Sequence, residues 1–326
     1  MPWTNAVGVE EGKEQPKEPS SPSKGDHAIK SILGVEIGVQ IEEAPVLSPK
    51  SKPTKRTNDQ GEIIEELKEF VKPQIGFVIY KNEIKSWSLW RGAITECYAM
   101  ILFLFFTIGT VASTSKYSKI NGFEGLDSAR QWMISSVFGT MISILVYILA
   151  PVSGGNLNPA VSISLALTKK ISPLRCFIYI IAQCIGATIG CLLVKIIDEQ
   201  RYNAVGGAIN SVSKGYTNGG AFLAEFIGTS LLILAVSSVV DGNNDQYDRI
   251  NMKQSHGISS IGFAVTMAHC VLIPITNCSI NPARSFGASL VYGEFPQHWI
   301  FWFAPIFGGI FSTLFYEIVI MDREFK

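Results

Sequence analysis

The chain has no net charge: its 27 Lys and Arg residues balance 27 Asp and Glu. No basic excess is left to neutralise a phosphate backbone, so nucleic acid drops out as a partner. Histidine is scarce, with four in 326 residues, and the six cysteines (Cys97, Cys176, Cys184, Cys191, Cys270 and Cys278) follow no regular spacing. Five lie within or at the edge of long apolar runs, and they read as small apolar fillers rather than a disulfide framework or a zinc site. No nucleophile, base and orienting group converge in the sequence, so no enzyme, cofactor or metal is expected. No signal peptide is expected either, because Met1 to Gln15 is polar and acidic with no apolar core. Targeting is left to the first membrane helix.

Charge is sparse over most of the length. Residues 1 to 85 hold 26 of the 54 Asp, Glu, Lys and Arg, and the other 241 positions hold only 28. What fills those positions is a series of apolar runs of about 20 residues, the length a helix needs to cross ~30 Å of hydrocarbon. Six are found, at Trp90 to Ala112, Met133 to Pro151, Leu174 to Ile197, Ala221 to Val240, Ile258 to Thr276 and Trp299 to Ile320. Six such runs with short polar loops specify a polytopic membrane protein.

Residues 1 to 85 carry eight of the 15 prolines and segments such as Glu18 to Lys24, which bury too little apolar area to offset ordering entropy. A mostly disordered cytosolic tail is expected there, with a short amphipathic helix at Gly61 to Val71 presenting Ile63, Ile64, Leu67 and Phe70 on one face. The channel domain is expected over 86 to 322, followed by a short cytosolic end at 323 to 326.

The apolar part is an internal repeat. Ala93-Ile94-Thr95-Glu96 opens one copy, which reaches Asn158-Pro159-Ala160; Phe222-Leu223-Ala224-Glu225 opens the other, which reaches Asn281-Pro282-Ala283. Glutamate and tripeptide are 62 residues apart in the first copy and 56 in the second. Each half (90 to 197 and 221 to 320) has three spanning helices, an odd number, so the second copy enters from the opposite side and the repeat is inverted. Lys169, Lys170 and Arg175 between the second and third runs place that loop, and with it both termini, in the cytosol.

Between Ser153 and Thr168 the sequence is uncharged, too short to span and too apolar for an aqueous loop. Asn158 is a favoured N-cap and Pro159 suits a first helical turn, so a re-entrant half-helix is expected to start there. Asn281-Pro282 repeats the pattern. Irregular backbone survives at membrane depth only inside protein or beside a water-filled cavity. Two inverted half-helices meeting end to end bring together two positive dipole ends of roughly half a charge each. The amides of Asn158 and Asn281 can then hold a passing water by its oxygen, which opposes cations and proton hopping. The plainer alternative is that each asparagine only caps a buried helix. Arg284, three residues after Asn281 in apolar surroundings, is expected to face a cavity, the alternative being a bundle-holding salt bridge. Glu96 and Glu225 read as structural acids bracing loop N–H groups.

These residues resemble the major intrinsic protein family, and within it the water-selective aquaporins, over about residues 88 to 322. The motifs SGGNLNPAV and CSINPARSFG and the paired glutamates carry the likeness. The resemblance implies an all-α membrane protein of six spanning helices and two half-helices, one pore per subunit, usually four subunits, water as permeant and lipid as surroundings, in the plasma membrane. It also implies a narrow filter at Phe138, His269, Cys278 and Arg284, and block by mercurials through Cys278 if that thiol is exposed. Glycerol-conducting relatives usually carry aspartate after the arginine and a smaller residue than histidine; here Ser285 and His269 stand. Ser289 replaces a common alanine, and Asn156 replaces a histidine often seen two residues before the first tripeptide. The sequon at Asn277 is expected to be buried. The competing readings are a glycerol or urea channel and a junctional or signalling membrane protein.

Overall fold

The computed structural model describes residues 27–30, 36–43, 76–115, 128–241 and 250–321. Six helices among them are long and apolar enough to cross a membrane. They are α1 (Trp87–Ser113), α2 (Ser128–Ser153), α4 (Pro173–Ile197), α6 (Asn218–Asp241), α7 (Ile250–Thr276) and α9 (Ile300–Phe315, continued by a π turn at Tyr316–Ile320). Each matches one of the expected apolar runs, α9 starting one residue later than expected. Two short helices, α3 (Pro159–Leu167) and α8 (Pro282–Tyr292), start at the Asn-Pro pairs, and α5 (Glu199–Ala204) lies in the connection between the halves. The chain is thus the helical membrane protein its patterning specifies.

Local chemistry sets the helix starts. Ser86 and Ser172 cap α1 and α4 by accepting from Ser88 N and Arg175 N, and Pro173 takes a first-turn position where no N–H is needed. Between helices, glycine permits close approach. A Cβ on Gly139 of α2 would sit 2.3 Å from Gly262 O of α7, and one on Gly262 would sit 2.5 Å from Gly139 O. The contact is reciprocal because the two glycines are equivalent positions of the repeat. Gly186 and Gly190 of α4 against α1, and Gly308 of α9 against α6, allow the same approach, the small-residue packing that replaces hydrophobic driving force between helices in lipid. Large apolar side chains such as Ile94, Tyr98, Tyr147, Phe177, Phe263 and Phe303 point outward, which suits hydrocarbon rather than water.

A small sheet adds to the all-helical expectation. Strands β1 (His27–Lys30), β2 (Glu36–Glu43) and β3 (Gly76–Lys81) lie in the order β1-β2-β3, the first pair antiparallel and the second parallel. Residues 76–85, placed by the sequence in a mostly disordered tail, are ordered against the helices. Gly76 bridges to Thr168, Val78 is buried, and Glu83 in the short 3-10 turn Glu83–Lys85 is buried against Ser172 and Arg175. The physical reason is that Glu83 finds a cation and a hydroxyl at the start of α4, which compensate its burial. The helix expected at Gly61 to Val71 lies outside the described residues.

Candidate functional site

The two connections into α3 and α8 have the same construction, with residues 123 apart in equivalent places. Ser153 Oγ donates to Glu96 (2.6 Å), as do Asn156 N (3.0 Å) and Leu157 N (2.7 Å). In the second copy Thr276 Oγ1 (2.5 Å), Ser279 N (2.8 Å) and Ile280 N (2.7 Å) donate to Glu225. Each carboxylate therefore pairs two backbone N–H groups that would otherwise cost about 1–3 kcal/mol each when buried. The bracing holds a strained backbone: Leu157 and Ile280 have φ of 56° and 45°, a left-handed conformation costing about 1–2 kcal/mol for a residue with a Cβ. Where the first loop uses Gly154 and Gly155 at positive φ, the second uses Asn277 and Cys278 at 60° and 48°. Strain is accepted there to place a side chain, Cys278, where its counterpart has none.

The asparagines that start the half-helices also tie them together. Asn158 Oδ1 accepts from Ala160 N, and its Nδ2 donates to Ile280 O at 2.7 Å. Asn281 Oδ1 accepts from Ala283 N and Arg284 N, and its Nδ2 donates to Leu157 O at 2.8 Å. Each cap thus spends one amide hydrogen on the opposite loop and keeps the second. Both asparagines line a cavity of about 340 Å³ whose other walls are largely apolar, among them Val146, Leu165, Leu232, Val236 and Ile261. This cavity runs toward the ends of α2 and α6 on the face where β3 docks, the tail side.

At its other end the cavity meets Phe138 and His269. These two, with Cys278 and Arg284, are each no more than 2% exposed. The Phe138 and His269 rings lie 4.2 Å apart, and Arg284 Cζ stands 5.8 Å from the Phe138 ring. His269 Nδ1 lies 2.9 Å from Val265 O; a carbonyl only accepts, so Nδ1 carries the hydrogen and Nε2 presents a lone pair. Arg284 Nη1 donates to Ala208 O (2.8 Å) and Asn210 Oδ1 (2.6 Å). His269 Nε2 and Arg284 Nε have no partner, which leaves an acceptor on the imidazole and a donor on the guanidinium unspent within the group.

The inverted repeat exposes how unequal the two ends are. Counterparts 123 residues away from Phe138, His269, Cys278 and Arg284 are Ile261, Val146, Gly155 and Val161. All four line the wide cavity. One backbone frame therefore carries large side chains packed together at Phe138, His269 and Arg284, and small or aliphatic ones lining the wide cavity at the counterpart positions.

Two further residues belong here that the motifs did not disclose. Asn210, fully buried in the connection before α6, accepts from Arg284 and from Ser285 Oγ (2.7 Å) while its Nδ2 donates to Thr276 O (3.0 Å). Gln183 of α4 donates to Glu96 and to Ser162. A polar amide inside an otherwise apolar run is the signal that could have found Gln183. Asn156 donates to Ser162, and Ser289 is buried with its hydroxyl unpartnered. Two expectations need correction. Cys278 is wholly enclosed, as Phe138, His269 and Arg284 are, so the exposed thiol on which mercurial block was made conditional is not present in this structure. Asn277, expected buried, is exposed while its amide donates to Ile209 O. Among the described residues no cluster of His, Cys, Asp and Glu has the makings of a metal site.

Comparison with known proteins gives the same picture. Residues 83–316 match the family described as Major intrinsic protein. An Atriplex canescens protein named Aquaporin PIP-type is 40% identical over 276 residues, covering 82% of this chain and 94% of its own. Aquaporin PIP1-1 of Arabidopsis thaliana is 38% identical over 266 residues, covering 79% and 89%. Among solved structures, the aquaglyceroporin from Plasmodium falciparum superposes with a TM-score of 0.61 at 24% identity, over 72% of this chain and 98% of that one, a likeness of fold. With the matched region spanning most of its length and carrying both half-helices, the chain is a multi-pass member of the major intrinsic protein family.

Proposed function

We propose that this protein is a passive water channel in which Asn158 and Asn281 orient water at mid-membrane and Phe138, His269, Cys278 and Arg284 form the selective constriction. The observation that carries the reading is the pairing of unspent groups: one remaining N–H on each asparagine beside the cavity, then one donor on Arg284 and one acceptor on His269 at the narrow end. A water accepting from Arg284 and donating to His269 recovers the bonds it gives up on leaving bulk solvent. At the asparagines the oxygen is held by donors, so the hydrogens point away from the centre and a proton relay is broken. The half-helix dipoles and Arg284 together repel cations. Glycerol is disfavoured by the bulk of the Phe138 and His269 rings, packed together at the narrow end of the cavity, and Ser285, where an acid would stand in a glycerol channel, is buried and bonded to Asn210.

A homotetramer in the plasma membrane with both termini cytosolic completes the reading. The orientation is supported by the docking of β3 beside Thr168, which puts the N-terminal segment on the same face as the basic connection holding Lys169 and Lys170; the tetramer and the plasma membrane are carried over from the resemblance to aquaporins. The test is stopped-flow shrinkage of proteoliposomes in sucrose and in glycerol, for wild type and Arg284→Ala. Fast water flow with negligible glycerol influx is expected of wild type and relaxed selectivity of the variant. Water flow no faster than in empty vesicles would overturn the channel reading.

A further inference from the structure

The segment joining β3 to α1 has a surface that the pore does not use. Lys81, Lys85 and Arg91 are exposed, and their side chains make no hydrogen bond or ion pair among the described residues. The acid between the first two, Glu83, is 2% exposed and committed to Arg175 (3.0 Å) and Ser172. Its charge is therefore withdrawn from the surface, and every exposed charge over residues 76–91 is positive. Beside the cations stand exposed apolar groups: Ile84, Trp90 and Trp87, the last 69% exposed. Trp90 Nε1 donates to Ile84 O at 2.9 Å, which fixes the ring against the 3-10 turn. Since Trp87 begins a membrane-spanning helix, this surface lies at headgroup depth, where indole rings and snorkelling cations concentrate.

From this arrangement we infer that residues 81–91 form a binding site for anionic phospholipid headgroups in the tail-side leaflet. Lys81, Lys85 and Arg91 neutralise the headgroup phosphate while Ile84, Trp87 and Trp90 contact the upper acyl chains. The proposal rests on the membrane topology and not on the pore chemistry, so it stands or falls independently of the water-channel reading. Each cation near an anionic surface is worth about a fivefold preference, and salt weakens it.

The full chain is reconstituted in phosphatidylcholine vesicles containing either dibrominated phosphatidylglycerol or dibrominated phosphatidylcholine, and tryptophan quenching is compared. Wild type is expected to be quenched more strongly by the brominated anionic lipid, less so in high salt. The triple variant Lys81→Gln, Lys85→Gln, Arg91→Gln is expected to lose the preference, whereas Lys85→Arg and Lys214→Gln, the latter in the loop before α6, keep it. Thermal unfolding of the triple variant at the wild-type temperature shows that it is folded; should it melt early, the single variant Lys85→Gln, expected to lose about fivefold, replaces it. Equal quenching of wild type by the two lipids, or an undiminished preference in the folded glutamine variants, overturns the inference.

Discussion

Asn210→Ala is the most discriminating change, because it removes a support of Arg284 without touching the four residues proposed to form the constriction. In the native protein Asn210 Oδ1 accepts from Arg284 Nη1 at 2.6 Å and Ser285 Oγ at 2.7 Å. The bond to the guanidinium is charge-assisted and buried, worth about 1.5–3 kcal/mol. Ser285 retains its bond to Ser279 and Arg284 retains Ala208 O, while Thr276 O loses the Asn210 amide; the charge-assisted loss falls on the guanidinium's position. At about 1.4 kcal/mol per decade, the docked arginine becomes roughly tenfold to a hundredfold less favoured over alternatives. Glycerol influx and proton leak into proteoliposomes, the latter followed with an internal pH-sensitive dye, are expected to rise about tenfold or more, with water flow preserved. Asn210→Asp keeps the acceptor for Arg284 but loses the donor to Thr276 O, and is expected to exclude glycerol better than Asn210→Ala does. A folded Asn210→Ala protein with wild-type water, glycerol and proton fluxes would refute the claim that this loop amide holds the filter arginine.

Two other outcomes follow from the packing. Glu225→Gln replaces an acceptor with a donor facing either Ile280 N–H or the Thr276 and Ser279 donors, a cost of about 2–3 kcal/mol; melting in detergent, followed by tryptophan emission, is expected to fall by roughly 5–10 °C, and an unchanged midpoint would count against the bracing role. Gly139→Ala places a methyl 2.0 Å from Thr266 Oγ1 and 2.3 Å from Gly262 O, so α2 and α7 must separate, and size-exclusion of the expressed protein is expected to show aggregation or loss. Gly219→Ala, with nothing within 4 Å, is the matched control and is expected to elute as wild type does.

Much of this molecule was legible in one dimension. Hydrocarbon thickness dictates helix length, so the six apolar runs marked α1, α2, α4, α6, α7 and α9 without reference to any contact. Capping chemistry is equally local, and Asn158-Pro159 and Asn281-Pro282 announced where α3 and α8 begin. The paired Glu96 and Glu225, costly in lipid unless bonded, pointed to loops in need of acceptors. Residues 76–85 resisted this reading because their order comes from partners far along the chain: Glu83 is held by Ser172 and Arg175, 89 and 92 residues away. Asn210 was hidden for the same reason, since nothing in Gly206 to Ile209 says that an arginine 74 positions later will dock there.

Alone, then, the order of residues determined an inverted pair of three-helix halves with a half-helix in each, because hydropathy, capping and parity are properties of short segments. Tertiary structure decided which side of the pore would be narrow. The two halves share one backbone frame, and only their interdigitation brings Phe138 of one half to His269, Cys278 and Arg284 of the other, while Val146, Gly155 and Val161 gather with Ile261 at the opposite end. A ring assembled from distant side chains has no local signature; it exists once packing sets their separation.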